Sequence, residues 1–265
     1  MADFTAKDVK ALRDATGAGM MDAKKALTEA DGDMDRAAQV LREKGLSKVA
    51  TLEDRDNSQG AVAVARSANK VALVELKSET DFSAKADDFV SLVQQLADAV
   101  LQGGEAAVEA PELTKAIEDI QIAKKENIEL GRVAYFEAAE GNGVDAYAHV
   151  QDGRGTNGVI IEIEGADDDT AHEIALHCAF AKPDALTREE IAPELVEKAR
   201  ASFEALTLKE GKPEQAVPKI VEGRLNSWYG ERVLPEQGLF GDKQTVADRL
   251  GGGHIVRFAQ AYIGA

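Results

Sequence analysis

Cysteine is almost absent from this sequence: Cys178 is the only one in 265 residues. An intrachain disulfide is therefore excluded, and the chain suits a reducing compartment. Long apolar runs are missing as well. Nothing approaches the roughly 18 residues needed to cross a bilayer, and the opening MADFTAKDVKALRD is charged and helix-patterned, with no signal-peptide core. Cytoplasm is the expected compartment, and no membrane is expected as partner. Positive charge is scarce relative to negative: 31 Lys and Arg face 48 Asp and Glu, a formal net charge of −17. Nucleic-acid binding relies on clustered Lys and Arg that release counterions from the phosphates. Here the basic residues are dispersed among acids, so direct nucleic-acid contact is not expected.

What is present is an ordinary globular mix, 44% apolar and 30% charged, enough for a sizeable core. Residues 1–46 read as a module of three short helices. TAKDVKALRDAT sets Val9, Leu12 and Ala15 at helical spacing behind Thr5, a natural N-cap. TGAG and ADGD break the pattern twice, and the third helix is expected to end at Gly45. Such a bundle suits binding but is too small to hold an active-site cleft. Residues 47–60 are polar and read as a linker.

From residue 61 the period changes. GAVAVARSANKVALVELK predicts a hairpin of two strands, followed by a helix that buries Phe89, Leu92, Val93, Leu96 and Val100. A Pro-started helix and three further strands come next. VALVELKSETDF…DDFVSLVQQLADAV and VIIEIEGADDDTAHEIALHCAFA share one order, strand then acidic junction then helix, and so suggest an internal repeat that sets Glu75 against Glu162. The first copy carries a few extra residues at the junction, on the TDF segment, where a scaffold commonly acquires function. The expected class is α+β: the helical module, then a core of two lobes with antiparallel sheets, residues 61–140 and 141–265. Residues 187–230 form a protruding helical hairpin about the EGKP turn, in which Leu195, Ala199, Phe203 and Leu206 are expected to face Val217, Val221, Leu225 and Trp228. A final strand, GGHIVRFAQAYI, returns to the second sheet.

Chemical motifs are few. TGAGMM lacks both the preceding strand and the GxxxxGK[ST] spacing of a phosphate loop. His177 and Cys178, adjacent on a helix, point about 100° apart and cannot act as base and nucleophile for one another. The four histidines have no ligand spacing, so no metal and no cofactor is expected. Nothing looks catalytic. Met20 and Met21 begin a helix and cannot both face one thin core, so one of them meets solvent or a partner. Phe82 has two readings. It lies seven residues before Phe89, a spacing that would extend the buried stripe. Yet Thr80 and Asp81, both N-cap types, place it in a first helical turn, where side chains are more often exposed.

Two stretches, LRDATGAGMMDAKKALTEADGD (12–33) and ELKSETDFSAK (75–85), resemble the signatures of the bacterial translation elongation factor Ts family. IALHCAFAKP (174–183) and VEGRLNSWYGE (221–231) are similar to further segments of it, so the resemblance spans essentially the whole chain. It implies a ubiquitin-associated-like bundle on a two-lobed core, and a non-enzymatic guanine nucleotide exchange factor for the GTPase elongation factor Tu. In that family the Asp-Phe of the second signature enters the GTPase near its Mg²⁺ site and loosens GDP. Carried over, the partner-binding residues are Thr80, Asp81, Phe82 and Ser83. Arg13, Met20 and Met21 correspond to the contact surface of the N-terminal module, and His177 marks the lobe that meets a more distant domain of the partner. Departures are Ser83, where valine is common, and Ala23 and Ser78, where cysteine is common. Self-association through hairpin 187–230 is a further expectation. The competing reading is an adaptor whose core merely carries that hairpin.

Overall fold

The computed structural model describes residues 4–264. Three helices open the chain: α1 (Ala6–Thr16), α2 (Met20–Glu29) and α3 (Met34–Val49). Thr5 and Asp8 form a capping box at the start of α1, each bonding the other's backbone N–H. The bundle core is thin, chiefly Val9, Leu12, Ala23, Ala26, Leu27 and Ala37. Contrary to the sequence expectation, the third helix does not stop at Gly45 but runs four residues further, into the segment expected as linker. The reason is tertiary. A Cβ on Gly45 would sit 2.8 Å from Ile122 Cγ2, so the glycine serves close approach to a neighbouring helix rather than a C-terminal turn. Arg42 bonds Glu118 and Asp119 across the same contact.

β1 (Gln59–Arg66), β2 (Lys70–Ser78) and β3 (Glu129–Glu137) form one antiparallel sheet in that spatial order. Between β2 and β3 run α4 (Asp81–Ala84), α5 (Asp87–Gly103) and α6 (Pro111–Lys124), the last carrying Ile122. β4 (Gly143–Gln151), β5 (Arg154–Glu164) and β6 (His254–Tyr262) form the second antiparallel sheet. α7 (Asp168–Ala181), the hairpin helices α8 (Pro193–Lys209) and α9 (Val217–Gly230), and the short α10 (Val246–Leu250) separate β5 from β6.

The two sheets pack face to face, with Val62, Leu73, Phe136, Ile160, Ala259 and their neighbours between them. Alternate residues of β1 therefore serve two cores: Val62 meets the other sheet, while Ala61, Ala63 and Ala65 meet α5. Both faces of β1, β2 and β5 are mostly buried, which is why these strands read as near-continuous apolar runs. The approach is close, since a Cβ on Gly158 of β5 would lie 2.5 Å from Val62 Cγ1. α5 and α6 cover the outer face of the first sheet, and α7 and α10 that of the second.

The repeat read in the sequence has a structural counterpart. Glu75 lies opposite Val62 and Glu162 opposite Val144, and each glutamate sits at a register shift toward its third strand. Each also accepts a hydrogen bond from an arginine of that strand: Glu75 from the Arg132 backbone N–H at 2.9 Å, Glu162 from Arg257 Nε at 2.7 Å. Where residues 165–167 suffice between β5 and α7, residues 79–86 join β2 to α5. The additional residues hold α4. In the hairpin the packed stripe of α8 is Val196, Ala199 and Phe203 against Val217, Val221 and Leu225. Ala199 and Phe203 lie on the expected face, and only the two ends of the stripe shift by one residue. Leu195 and Leu206 are exposed, because Thr207 is buried in place of Leu206 and its hydroxyl bonds the Phe203 carbonyl at 2.6 Å. Trp228 packs lower, at the hairpin base, with Ala185, Ile191 and Val233.

Candidate functional site

α4 is a single turn, and every residue around it has a defined partner. Thr80 caps it, its Oγ1 accepting from the Ser83 N–H at 3.2 Å. The same hydroxyl donates to Glu126 Oε1 at 2.7 Å, while the Thr80 N–H donates to Glu126 Oε2 at 3.2 Å. Ser83 Oγ donates to Glu126 Oε1 at 2.6 Å. Ser78 Oγ donates to the Thr80 carbonyl at 3.0 Å. Next to Glu126, the Asn127 N–H donates to Glu79 Oε1 at 2.7 Å, and the Asn127 amide bonds the carbonyls of Glu53 and Arg55. The α6–β3 connection thus grips the α4 segment and the approach to β1 together.

Within this frame Phe82 is 84% exposed. Leaving a phenylalanine in water forgoes roughly 1.5–3 kcal/mol of burial energy, while Phe89, seven residues on, is fully buried. The helical spacing between them has no structural meaning, because Ala86 (φ −68°, ψ 139°) is extended and divides α4 from α5. Asp81, beside Phe82, is half-exposed and paired with Lys85 Nζ at 2.9 Å, whose ammonium holds the carboxyl below the usual carboxylate range. Lys85 also reaches Asp152 Oδ2 in the β4–β5 turn at 3.2 Å, a bridge from the first sheet's insert to the second sheet. Arg154, behind them, is buried and donates to the Gly60 carbonyl at 2.5 Å. Ser83, grouped by the sequence with Phe82 as a partner contact, is buried and faces Glu126.

Met20 and Met21 stand at the start of α2, and both are exposed, leaving the bundle core to Ala23, Ala26 and Leu27. Arg13, near the end of α1, is partly exposed and bonded to Asp14, Nε to Oδ1, at 2.9 Å. A groove of about 570 Å³ is lined by the α1–α2 turn, α3 and the end of α6, but its rim mixes Lys25, Lys44 and Lys48 with Asp22 and Glu43. Charge of both signs and the absence of converging polar groups give it no evident chemistry.

His177 requires correction as a contact residue, for its side chain is fully buried. Its Nδ1 accepts the Phe240 backbone N–H at 3.1 Å, so the ring proton lies on Nε2, which meets Gln237 Oε1 at 3.0 Å. The histidine holds Phe240 in a left-handed turn (φ 50°, ψ 28°). Phe240 is 44% exposed, and its ring lies tilted with its centroid 6.1 Å from that of Phe180, itself 67% exposed. His177 thus lies beneath an exposed aromatic pair, one of several apolar groups this lobe shows to solvent. Cys178 lies on the buried face of α7, where burial pushes its thiol up and keeps it from solvent. Among the described residues no group of three His, Cys, Asp or Glu is placed to hold a metal, and no helix is long and apolar enough to cross a membrane.

Burial lowers the His177 pKa below its ordinary 6.5, with the Gln237 bond opposing. The folded state thus prefers the neutral ring, and the unfolded state takes up the proton first as pH falls. Stability contributed by neutral His177 is complete above pH 6.5 and is lost progressively as pH drops below that value. In urea titrations between pH 7.5 and 5, His177→Asn is expected to show a shallower loss of stability than the parent chain. Parallel profiles would rule this out.

Sequence reasoning missed Glu126, Lys85, Asp152 and Arg154. They come from three separate stretches of the chain, Asp152 and Arg154 sharing one turn, and nothing local marks them. Phe180 and Phe240 are exposed phenylalanines far apart in the chain, and no sequence motif pairs them.

Two antiparallel sheets packed face to face thus brace a one-turn helix and keep its phenylalanine in solvent. The family model described as elongation factor TS matches residues 79–264. Elongation factor Ts of Deinococcus radiodurans is 42% identical over 268 residues, covering 98% of this chain and 99% of its own length. Those of a Nocardioides species and of Kineococcus radiotolerans are 43% and 39% identical, with both chains covered in full. The chain belongs to the elongation factor Ts family, whose members are factors of translation elongation.

Proposed function

We propose that this chain is a guanine nucleotide exchange factor: it binds GDP-bound elongation factor Tu, disturbs the Mg²⁺ and phosphate site, and promotes GDP release. The observation that carries this reading is Phe82, 84% exposed on a helical turn pinned on its opposite face by three hydrogen bonds to Glu126, in a member of this family. An apolar side chain kept in water at a fixed position is a ligand prepared for another surface. Asp81 beside it supplies negative charge that competes for the surroundings of a bound cation. The exposed Met20 and Met21 on the bundle and the Phe180–Phe240 pair on the second lobe supply further apolar contacts, methionine being suited to adaptable interfaces. His177 serves that second contact from below, as support for Phe240.

The physics is coupling between two ligands of one GTPase. A factor that bound the GDP-loaded and empty forms equally would shift nothing. GDP and factor must weaken each other's binding by the same ratio. An aromatic wedge that fits only the distorted site supplies that difference, and this protein makes or breaks no bond.

The test uses fluorescently labelled GDP on elongation factor Tu. The chain is expected to accelerate release at substoichiometric amounts, because it is free to leave once GTP rebinds. Binding without acceleration would favour the adaptor reading instead.

A further inference from the structure

We infer that Glu126 is the positioning residue of α4: its carboxylate determines which face of this turn meets solvent, and so keeps Phe82 outside. The inference rests on the exchange-factor reading for its functional consequence, although its structural half stands without it. Both carboxylate oxygens are used. Oε2 takes the Thr80 N–H, and Oε1 takes the Thr80 and Ser83 hydroxyls at 2.7 and 2.6 Å. These three donors are neutral and belong to the α4 segment, so the negative charge is stabilised by that segment. Charge-assisted bonds of this kind are shorter and stronger than neutral ones.

The helical geometry explains the effect. At about 100° per residue, Thr80, Ser83 and Ala84 lie within one arc, and Phe82 falls roughly 150° from its centre. Ala84 is fully buried on the same side as the two hydroxyls. Pinning residues 80 and 83 inward therefore turns residue 82 outward. Without the pins, a one-turn helix has no intrinsic stability, and a phenylalanine beside an apolar core gains by rotating into it. Thr80 is the hinge of the device, since one hydroxyl accepts from the Ser83 N–H while donating to Glu126, a chain in which each bond strengthens the next. Ser83 also acquires a purpose here. Valine at this position would give α4 an apolar anchor, whereas serine supplies a donor matched to Glu126.

The test compares Glu126→Ala, Glu126→Gln and Ser83→Ala with the parent full-length chain. In the free protein, hydrogen–deuterium exchange read by mass spectrometry is expected to rise about tenfold or more in peptides covering 79–86 for Glu126→Ala. Peptides of β2 and α5 should stay unchanged. Glu126→Gln retains one acceptor oxygen but turns an amide donor toward the Thr80 N–H, so an intermediate rise is expected. In the GDP-release assay Glu126→Ala is expected to lose about fivefold or more in stimulated rate, and to lose nothing further when Phe82→Ala is already present. Unchanged exchange at 79–86, or losses from the two substitutions that multiply, would overturn the inference. If Phe82→Ala leaves release unaffected, the exchange-factor reading falls while the hydrogen-exchange arm still decides the role of Glu126. Should Glu126→Ala not fold, Glu126→Gln and Ser83→Ala carry the same comparison.

Discussion

Phe82→Ala is expected to slow stimulated GDP release by about tenfold to a hundredfold while leaving the thermal midpoint within about 1 °C of the parent. The first figure follows from the apolar surface a phenylalanine gives up to a partner, ~1.5–3 kcal/mol, at 1.4 kcal/mol per decade. Most of that energy is unrealised in the free protein, since the ring is 84% exposed. In the proposed exchange it becomes available only against a site that opens to receive it, and binding energy would then turn into displacement of GDP. The second figure follows from the same exposure: truncation removes almost no packing and leaves no cavity. Stopped-flow release of labelled GDP and differential scanning calorimetry on the same preparation measure the two together. A loss of about 3 kcal/mol in stability with release unaltered would mean that the ring belongs to the core.

Phe89→Ala is expected to do the reverse. Phe89 is fully buried among Leu92, Val93, Leu96 and the inward alanines of β1. Truncating a buried phenylalanine removes its transfer energy and leaves a cavity, costing roughly 3–5 kcal/mol. In a chain of this size the thermal midpoint should fall on the order of 10 °C. Below the transition the folded fraction should stimulate GDP release within about twofold of the parent, because α4 is anchored through Glu126 and not through this ring. Urea denaturation gives the energetic term, and a loss under about 1 kcal/mol would contradict the packing described. Two phenylalanines seven positions apart thus separate presentation from stability.

Much of the fold was legible because its signals are local. The capping residue Thr5, the stripe Phe89–Leu92–Val93–Leu96–Val100 and the SANK turn each announce their element within a few residues. The repeat was legible too, since both copies keep the same strand and glutamate. What failed was set by distant partners. Gly45 reads as a helix end, and only the arrival of Ile122 makes it an interior contact. Leu206 reads as core and Thr207 as surface, yet the hydroxyl that bonds its own helix lets threonine take the buried place. Phe82 was undecidable from periodicity, because the break at Ala86 that cancels the spacing has no glycine or proline to mark it. His177 reads as a contact, although two hydrogen bonds from segments more than fifty residues away bury it.

Gly158 of β5 lies against Val62 with no space for even a methyl group between the sheets. Interiors packed to crystal density change by jumps between discrete arrangements and do not slide. The separation between Phe82, mounted on one sheet, and the Phe180–Phe240 pair, mounted on the other, is accordingly a fixed length. The molecule is a gauge: in the exchange-factor reading proposed above, a partner gripping both ends would have to take up any mismatch within itself.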